Sequence, residues 1–209
     1  MLDGGWFPLV IGFGIFGLLM TWRRGREIIT RHRFEEEGPL IGFVEALATS
    51  DDPPVRVPGT AVFLNASATT TPLALRHNVE HNHVLHEQVV IFMVDNVGVP
   101  HIASENRITI DDLAIPDDGI SLVTARFGFQ DAPDVPAALR LAAAGGLPID
   151  VPNATYFLSR ITITPTHAPG MRMWRKRLFT ATSRNAASPA GYFSLPENRI
   201  VALGSSIEL

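Results

Sequence analysis

The chain has 209 residues, a formal net charge of -4, 46% hydrophobic residues and no cysteine. The acidic balance argues against a binder of nucleic acid polymers, which carries a net basic field. The lack of cysteine removes any disulfide framework and agrees with a reducing compartment.

The first element is a membrane span. Trp6 to Trp22 reads WFPLVIGFGIFGLLMTW, 17 uncharged residues closed by tryptophan at both ends. At about 1.5 Å per residue the run covers roughly 26 Å, slightly short of the ~30 Å hydrocarbon core, with Leu2 and Thr21 able to extend it. A helix satisfies its own backbone inside lipid, and tryptophan favours the headgroup level, so Trp6 and Trp22 fit as interfacial anchors. The N-terminal flank carries only Asp3, whereas Arg23, Arg24, Arg26, Arg31 and Arg33 follow the span. Lys and Arg are retained on the cytoplasmic side, which puts the N-terminus outside and everything after the span in the cytoplasm. A cleavable signal peptide needs positive charge before the apolar run and small residues at a cleavage site after it, and both are missing. The sequons Asn65-Ala66-Ser67 and Asn153-Ala154-Thr155 then fall in a compartment where they are unused.

Trp22 to Glu37 is densely charged, as expected of a helix leaving the membrane. Leu40, Ile41, Phe43, Val44 and Leu47 recur at helical spacing and predict a short amphipathic helix lying against the domain or the membrane surface, with core packing the favoured use. Asp51-Asp52-Pro53-Pro54 and Pro58-Gly59 break any helix and mark a domain boundary. Thr60 to Leu64 predicts a strand. Thr71-Pro72 supplies an N-cap and a first-turn proline for a helix to about Asn82. Gln88 to Val94 is a continuous apolar run, the pattern of a central strand covered on both faces. Asn106 to Ile110 and Val123 to Phe129 alternate apolar and polar residues around the turn Asp117-Asp118-Gly119, and so predict an antiparallel pair. Pro133 to Ala144 reads as a helix ended by Gly145-Gly146, Tyr156 to Thr164 as a strand before Pro165, Gly170 to Asn185 as the last long helix, and Ile200 to Leu203 as a closing strand. The predicted class is α/β: one N-terminal transmembrane helix followed by a cytoplasmic α/β domain with a mixed sheet. Its divisions are the helix at 1–22, juxtamembrane charged and amphipathic helices at 23–50, a Pro-rich linker at 51–59 and the cytoplasmic domain at 60–209.

Three motifs invite a chemical reading. Gly12-Phe13-Gly14-Ile15-Phe16-Gly17 matches the dinucleotide pattern G-x-G-x-x-G, but that motif works at a strand-to-helix turn and here lies mid-membrane, where small residues let helices approach closely. His77, His81, His83 and His86, with Glu80 and Glu87, form a polar cluster. His77 and His81 share a helix face as zinc-binding pairs do, yet there is no H-E-x-x-H and no third ligand at a recognisable spacing, so His77, His81, His86 and Glu87 stand as a polar cluster and no metal is expected. Titration near neutral pH is open to it. Met171 to Phe179 is basic and amphipathic, so Arg172, Arg175, Lys176 and Arg177 are candidate contacts for anionic lipid or a phosphate ligand, or else a solvated face with Met171, Trp174, Leu178 and Phe179 in the core. No G-x-S-x-G elbow and no P-loop is present, and no catalytic residue or cofactor is expected.

Several strings together carry a resemblance. Val57-Pro58-Gly59-Thr60-Ala61-Val62-Phe63-Leu64, His77-Asn78, His81-Asn82, Val84-Leu85-His86-Glu87-Gln88-Val89-Val90, Arg126-Phe127-Gly128-Phe129, Pro133-Asp134-Val135-Pro136 and Tyr156-Phe157-Leu158-Ser159-Arg160 resemble the cytoplasmic tail of the KUP (HAK/KT) potassium uptake permeases. So do Ser183-Arg184-Asn185-Ala186-Ala187-Ser188, Tyr192-Phe193, Pro196-Glu197-Asn198-Arg199-Ile200-Val201 and the terminal Glu208-Leu209. Gly4-Gly5-Trp6-Phe7-Pro8 and Thr21-Trp22-Arg23-Arg24-Gly25 resemble the last membrane helix of that family and its exit. The resemblance implies the C-terminal part of an inner-membrane potassium transporter, driven by proton symport and working as a homodimer, whose ion pathway lies in earlier helices. The remaining transmembrane helices and membrane lipid are then its partners, and the domain regulates, stabilises or dimerises the transporter. Relatives regulated by a cyclic dinucleotide make the basic stretch Arg172 to Arg177 a candidate contact for one. The rival readings are a stand-alone bitopic sensor or subunit binding such a ligand, and a metal- or nucleotide-dependent enzyme.

Overall fold

The structure is a computed structural model that describes residues 6–113, 115, 118–164, 166, 170–183 and 189–208. Asp3, Gly4-Gly5, Asp117, Pro165, the end of the last long helix at Arg184-Asn185, the string through Ser188 and Leu209 lie outside those residues. The elements in order are α1 (Trp6–Glu37), α2 (Leu40–Ala48), β1 (Val55–Asn65), α3 (Leu73–Asn82), β2 (Val84–Val97), β3 (Ile108–Asp111), β4 (Ile120–Gly128), α4 (Val135–Ala144), β5 (Thr155–Thr164), α5 (Met173–Ser183), α6 (Pro189–Tyr192) and β6 (Ile200–Glu208). They fall into two compact units. One holds α1 to Glu35, residues 161 to 186 with α5, and the chain beyond Ser205, and the other holds Glu36–Arg160 and the segment through Ser205 that carries α6.

One sheet runs in the order β3-β4-β2-β1-β5-β6. β1 pairs parallel with β2 and β5, β2 parallel with β4, and β3 antiparallel with β4, so the sheet is mixed, with β2 and β1 at its centre. Strand alternation sends Val62, Leu64, Val90, Phe92, Val123, Ala125, Phe127 and Tyr156 to one face, where α4 covers them with Val135, Ala138, Leu139 and Ala142. The intervening Ala61, Phe63, Val89, Ile91, Leu122 and Phe157 go to the other face, under Leu40 and Val44 of α2 and Ala74 and Leu75 of α3. The result is a three-layer α/β/α sandwich, which explains why β2 reads as a continuous apolar run.

Helix α2 packs on this core as predicted, with Leu40 and Val44 buried and Ile41 on the outside. Strand β1 begins at Val55, earlier than the predicted Thr60. Its register against β2 shifts between Val57 and Thr60, so Pro58-Gly59 is absorbed as an irregularity within the strand. Thr71 is not the cap of α3. Pro72 occupies that position without a side-chain bond, the Thr71 hydroxyl donates to the Pro39 carbonyl, and the Ala74 amide donates to Ser159 Oγ of β5 at 3.0 Å. Tertiary structure therefore supplies the acceptor that a local cap would have given. Asp134 caps α4 by accepting from the Ala137 amide at 2.7 Å. At the predicted β3–β4 turn Gly119 has φ of 78°, and a Cβ there would collide with the Glu87 carbonyl oxygen, so no side chain fits.

Candidate functional site

Residues Trp6 to Trp22 form the first half of α1, a helix long and apolar enough to cross a membrane. Leu9, Phe13, Phe16 and Leu19 stand more than 40% exposed, and a Cβ on Gly12, Gly14 or Gly17 would meet nothing within 4 Å. The G-x-G-x-x-G pattern thus lies inside a continuous helix, along an uncovered surface, and not at a strand-to-helix turn that could cradle a phosphate.

Helix α5 meets α1 where the apolar run ends. Arg175 donates through Nε to Thr21 Oγ1 at 3.0 Å and through a terminal nitrogen to the Met20 carbonyl at 3.2 Å. The Phe179 ring lies 5.2 Å from that of Trp22, and a Cβ on Gly25 would come within 2.5 Å of it, so glycine at 25 is what lets α5 approach this closely. Lys176 is only 1% exposed and donates to the Thr166 carbonyl at 2.9 Å. The structure therefore separates the four candidate basic residues: Arg175 and Lys176 hold the helix in place, and Arg172 and Arg177 face outward. Trp174 is 60% exposed, so the reading that put it in the core is corrected; Phe179, one turn on, fills that role.

The histidines do not converge. The His77 and His81 rings lie 5.5 Å apart on α3, His83 ends the helix in the left-handed conformation at φ of 53°, and His86 lies within β2 with its ring 5.7 Å from that of Phe157 on β5. Burial pushes the His86 imidazole below its usual value, since the charged form is poorly solvated there. Glu87 is exposed. Among the described residues no group of three or more His, Cys, Asp or Glu side chains is placed to hold a metal. The interleaved asparagines join α3 to β2: Asn78 donates to the Val84 carbonyl at 2.9 Å and accepts from Asn82 at 3.0 Å. Their spacing of four was visible in the sequence, masked by the more reactive histidines beside them.

A cavity of about 530 Å³ opens where β2 and β4 begin, lined by Gln88, Asp112, Asp118, Ser121 and the Gly145-Gly146 end of α4. Asp112 accepts from the Ser121 hydroxyl, and burial raises the Asp118 carboxyl although the Ile120 amide donates to it. Two carboxylates and the carbonyl end of a helix repel phosphate, so this cavity does not suit a cyclic dinucleotide. It also lies away from the carboxyl ends of the parallel strands, where ligands of open α/β sheets bind.

Two constellations had no sequence signal. Glu37, the last residue of α1, is 3% exposed and accepts from the Thr70 hydroxyl at 2.5 Å, while Arg76 donates to the Glu37 carbonyl at 3.0 Å. Asp131 accepts from the Ile102 and Gly128 amides and pairs with His101 at 2.7 Å and Arg107 at 3.2 Å, which holds its carboxyl down at about 2. Each joins residues more than twenty positions apart, beyond the reach of motif spacing.

A helix long and apolar enough to cross a membrane, continued into an α/β domain, defines the class as a membrane protein with a folded α/β domain behind its span. The comparisons narrow this class. Residues 58–209 match the family described as the K+ potassium transporter C-terminal domain, and the chain belongs to it. It is 49% identical over 212 residues, covering 100% of this chain and 32% of the relative, to the "Probable potassium transport system protein Kup" of Rhodococcus jostii (strain RHA1). Proteins of the same description from Azoarcus sp. (strain BH72) and Myxococcus xanthus (strain DK1622) are 45% and 42% identical, over 99% of this chain and 32% and 31% of their own lengths. The chain thus spans about a third of the length of the curated relatives it matches, at 32% for the first. No solved structure matches it.

Proposed function

We propose that this chain is the C-terminal portion of a potassium transporter, in which α1 is the last membrane helix and the α/β sandwich is a cytoplasmic domain that regulates, stabilises or dimerises the whole. The transporter takes up potassium in symport with protons across the inner membrane, with the N-terminus of α1 outside. Of the divisions at residues 22, 50 and 59, the first two are kept in this proposal, whereas the boundary at 59 falls inside β1, which begins at Val55. The observation that carries the reading is the fastening of Glu37 to Thr70 and Arg76 at the end of the same helix that begins in the apolar run. The apolar run of α1 has no charged residue, so it has no means of binding an ion itself.

The test is potassium uptake in a cell lacking its own uptake systems. The 209-residue chain alone should leave growth at low potassium unrescued. Fusion behind the preceding helices of a relative should restore growth, and rescue by the chain alone would overturn the reading. A cyclic dinucleotide contact at Arg172 and Arg177, an occupant that would exclude lipid phosphate at the same side chains, is a second reading favoured by their outward exposure. A thermal shift of the detergent-solubilised chain with cyclic dinucleotides checks it, because a ligand that binds the folded form raises its stability.

A further inference from the structure

Helix α5 leaves its largest apolar side chain outside. Phe179 and Thr180 are buried and Lys176 is turned inward, yet Trp174 stands 60% exposed, and Arg172 and Arg177 are exposed as well, Arg177 one turn of helix from Trp174. Neither arginine makes an ion pair or side-chain hydrogen bond among the described residues. The depth of this patch is fixed by its neighbours. Arg175, next to Trp174 in the chain, bonds to Met20 and Thr21, the last residues of the apolar run before Trp22. Trp174 is therefore the chain neighbour of a side chain bonded to the end of the apolar run, where the proposed span of α1 leaves the hydrocarbon. The headgroup layer there is roughly 5–8 Å deep on each side of a bilayer. A tryptophan ring, apolar with one N–H donor, is stabilised in that layer, and guanidinium groups pair with phosphodiesters in a planar, bidentate way.

We propose that α5 is an interfacial anchor, with Trp174 seated at headgroup level and Arg172 and Arg177 bound to the phosphates of anionic phospholipids. The occupant is the lipid surface, because tryptophan at this depth and two outward cations match a negatively charged leaflet in both polarity and charge. The exposed Arg23, Arg24 and Arg26 of α1 add to the same field, although Arg23 and Arg24 share Glu27. Trp174 so placed would hold α5 against α1 and make the Gly25–Phe179 contact sensitive to the lipid around it.

The inference rests on α1 being a membrane span, and the test keeps the two apart. The chain has three tryptophans and no cysteine. The full chain is reconstituted in nanodiscs of phosphatidylglycerol or phosphatidylcholine carrying lipids brominated near the headgroup. In Trp6→Phe/Trp22→Phe only Trp174 emits, and in Trp6→Phe/Trp174→Phe only Trp22. Trp174 should be blue-shifted and quenched in phosphatidylglycerol, and Arg172→Gln/Arg177→Gln should lower its membrane-bound population on the order of five-fold per charge. A spin label on Trp174→Cys, which leaves Trp22 against Phe179, should report the same shallow depth if the aromatic double variant misfolds. Quenching of Trp22 without Trp174 would keep the span and overturn the anchor. Loss of quenching at both would overturn the span as well. Equal quenching in the two lipids, or a response of Trp174 to inorganic phosphate but not to brominated lipid, would overturn the anionic-lipid site.

Discussion

At the scale of single residues, the informative polar groups are those that replace a missing local partner. Ser159 is the clearest: its hydroxyl accepts from the Ala74 amide at the start of α3, where Pro72 offers no side-chain bond. Ser159→Ala should cost about 1 kcal/mol, the size of a lost helix cap. Denaturant unfolding of the chain in detergent measures it, and a shifted midpoint with unchanged slope marks a pure stability effect. His86 gives a pH prediction. Its imidazole titrates below the ordinary value because burial disfavours the cation. Near and below pH of about 6.5 the unfolded chain therefore binds more protons than the folded one, so stability falls as the solution is acidified through that point and levels off below the folded pKa. Of the nearby titratable groups on α3 and β2, Glu80, His81 and Glu87 are exposed and His77 is half-buried. Melting His86→Asn alongside the native chain between pH 8 and 5 should show a weaker decline for the variant. Parallel curves would assign the slope to other groups.

At the scale of elements, what was legible followed from periodicity. The span, the amphipathic α2, the central β2 and the β3–β4 pair all have one dominant environment per face, and period two or 3.6 reports that environment directly. The early start of β1 was hidden because Pro58-Gly59 reads as a break, whereas a parallel pairing on β2 carries the strand through it. The supposed cap at Thr71 and the buried Trp174 failed for a related reason: local chemistry allowed both, and contacts from β5 and α1 decided otherwise. The Glu37 junction belongs here as well, since its partners come from the β1–α3 connection and from α3. Glu37→Ala removes a buried acceptor from the Thr70 hydroxyl and should destabilise by roughly 1–3 kcal/mol. Loss should concentrate at the α1–α2 junction, with faster amide exchange in the last turn of α1 and around residues 66–71, while the β2 and β4 amides keep their protection. Uniform acceleration across the sheet would mean that Glu37 merely contributes to global stability.

At the scale of the whole molecule, the proposed orientation rests on charge. Five arginines follow the apolar run, and retention of positive charge is the reason for proposing the α/β sandwich on the cytoplasmic side. That side also matters to the basic surface of α5, because anionic lipid and soluble phosphate ligands are both met there. The absence of cysteine makes the orientation directly measurable. Asp3→Cys places a thiol before the span, and Ser50→Cys places one on the exposed turn after α2. In intact cells with a permeable outer boundary, a membrane-impermeant maleimide should label the first and spare the second until the inner membrane is opened. Arg23→Glu/Arg24→Glu/Arg26→Glu removes most of the charge asymmetry beside the span and should raise the fraction of inverted chains, seen as Ser50→Cys labelling before permeabilisation. Labelling of Ser50→Cys in the unaltered chain would place the domain outside, and with it would fall the cytoplasmic role of the sandwich.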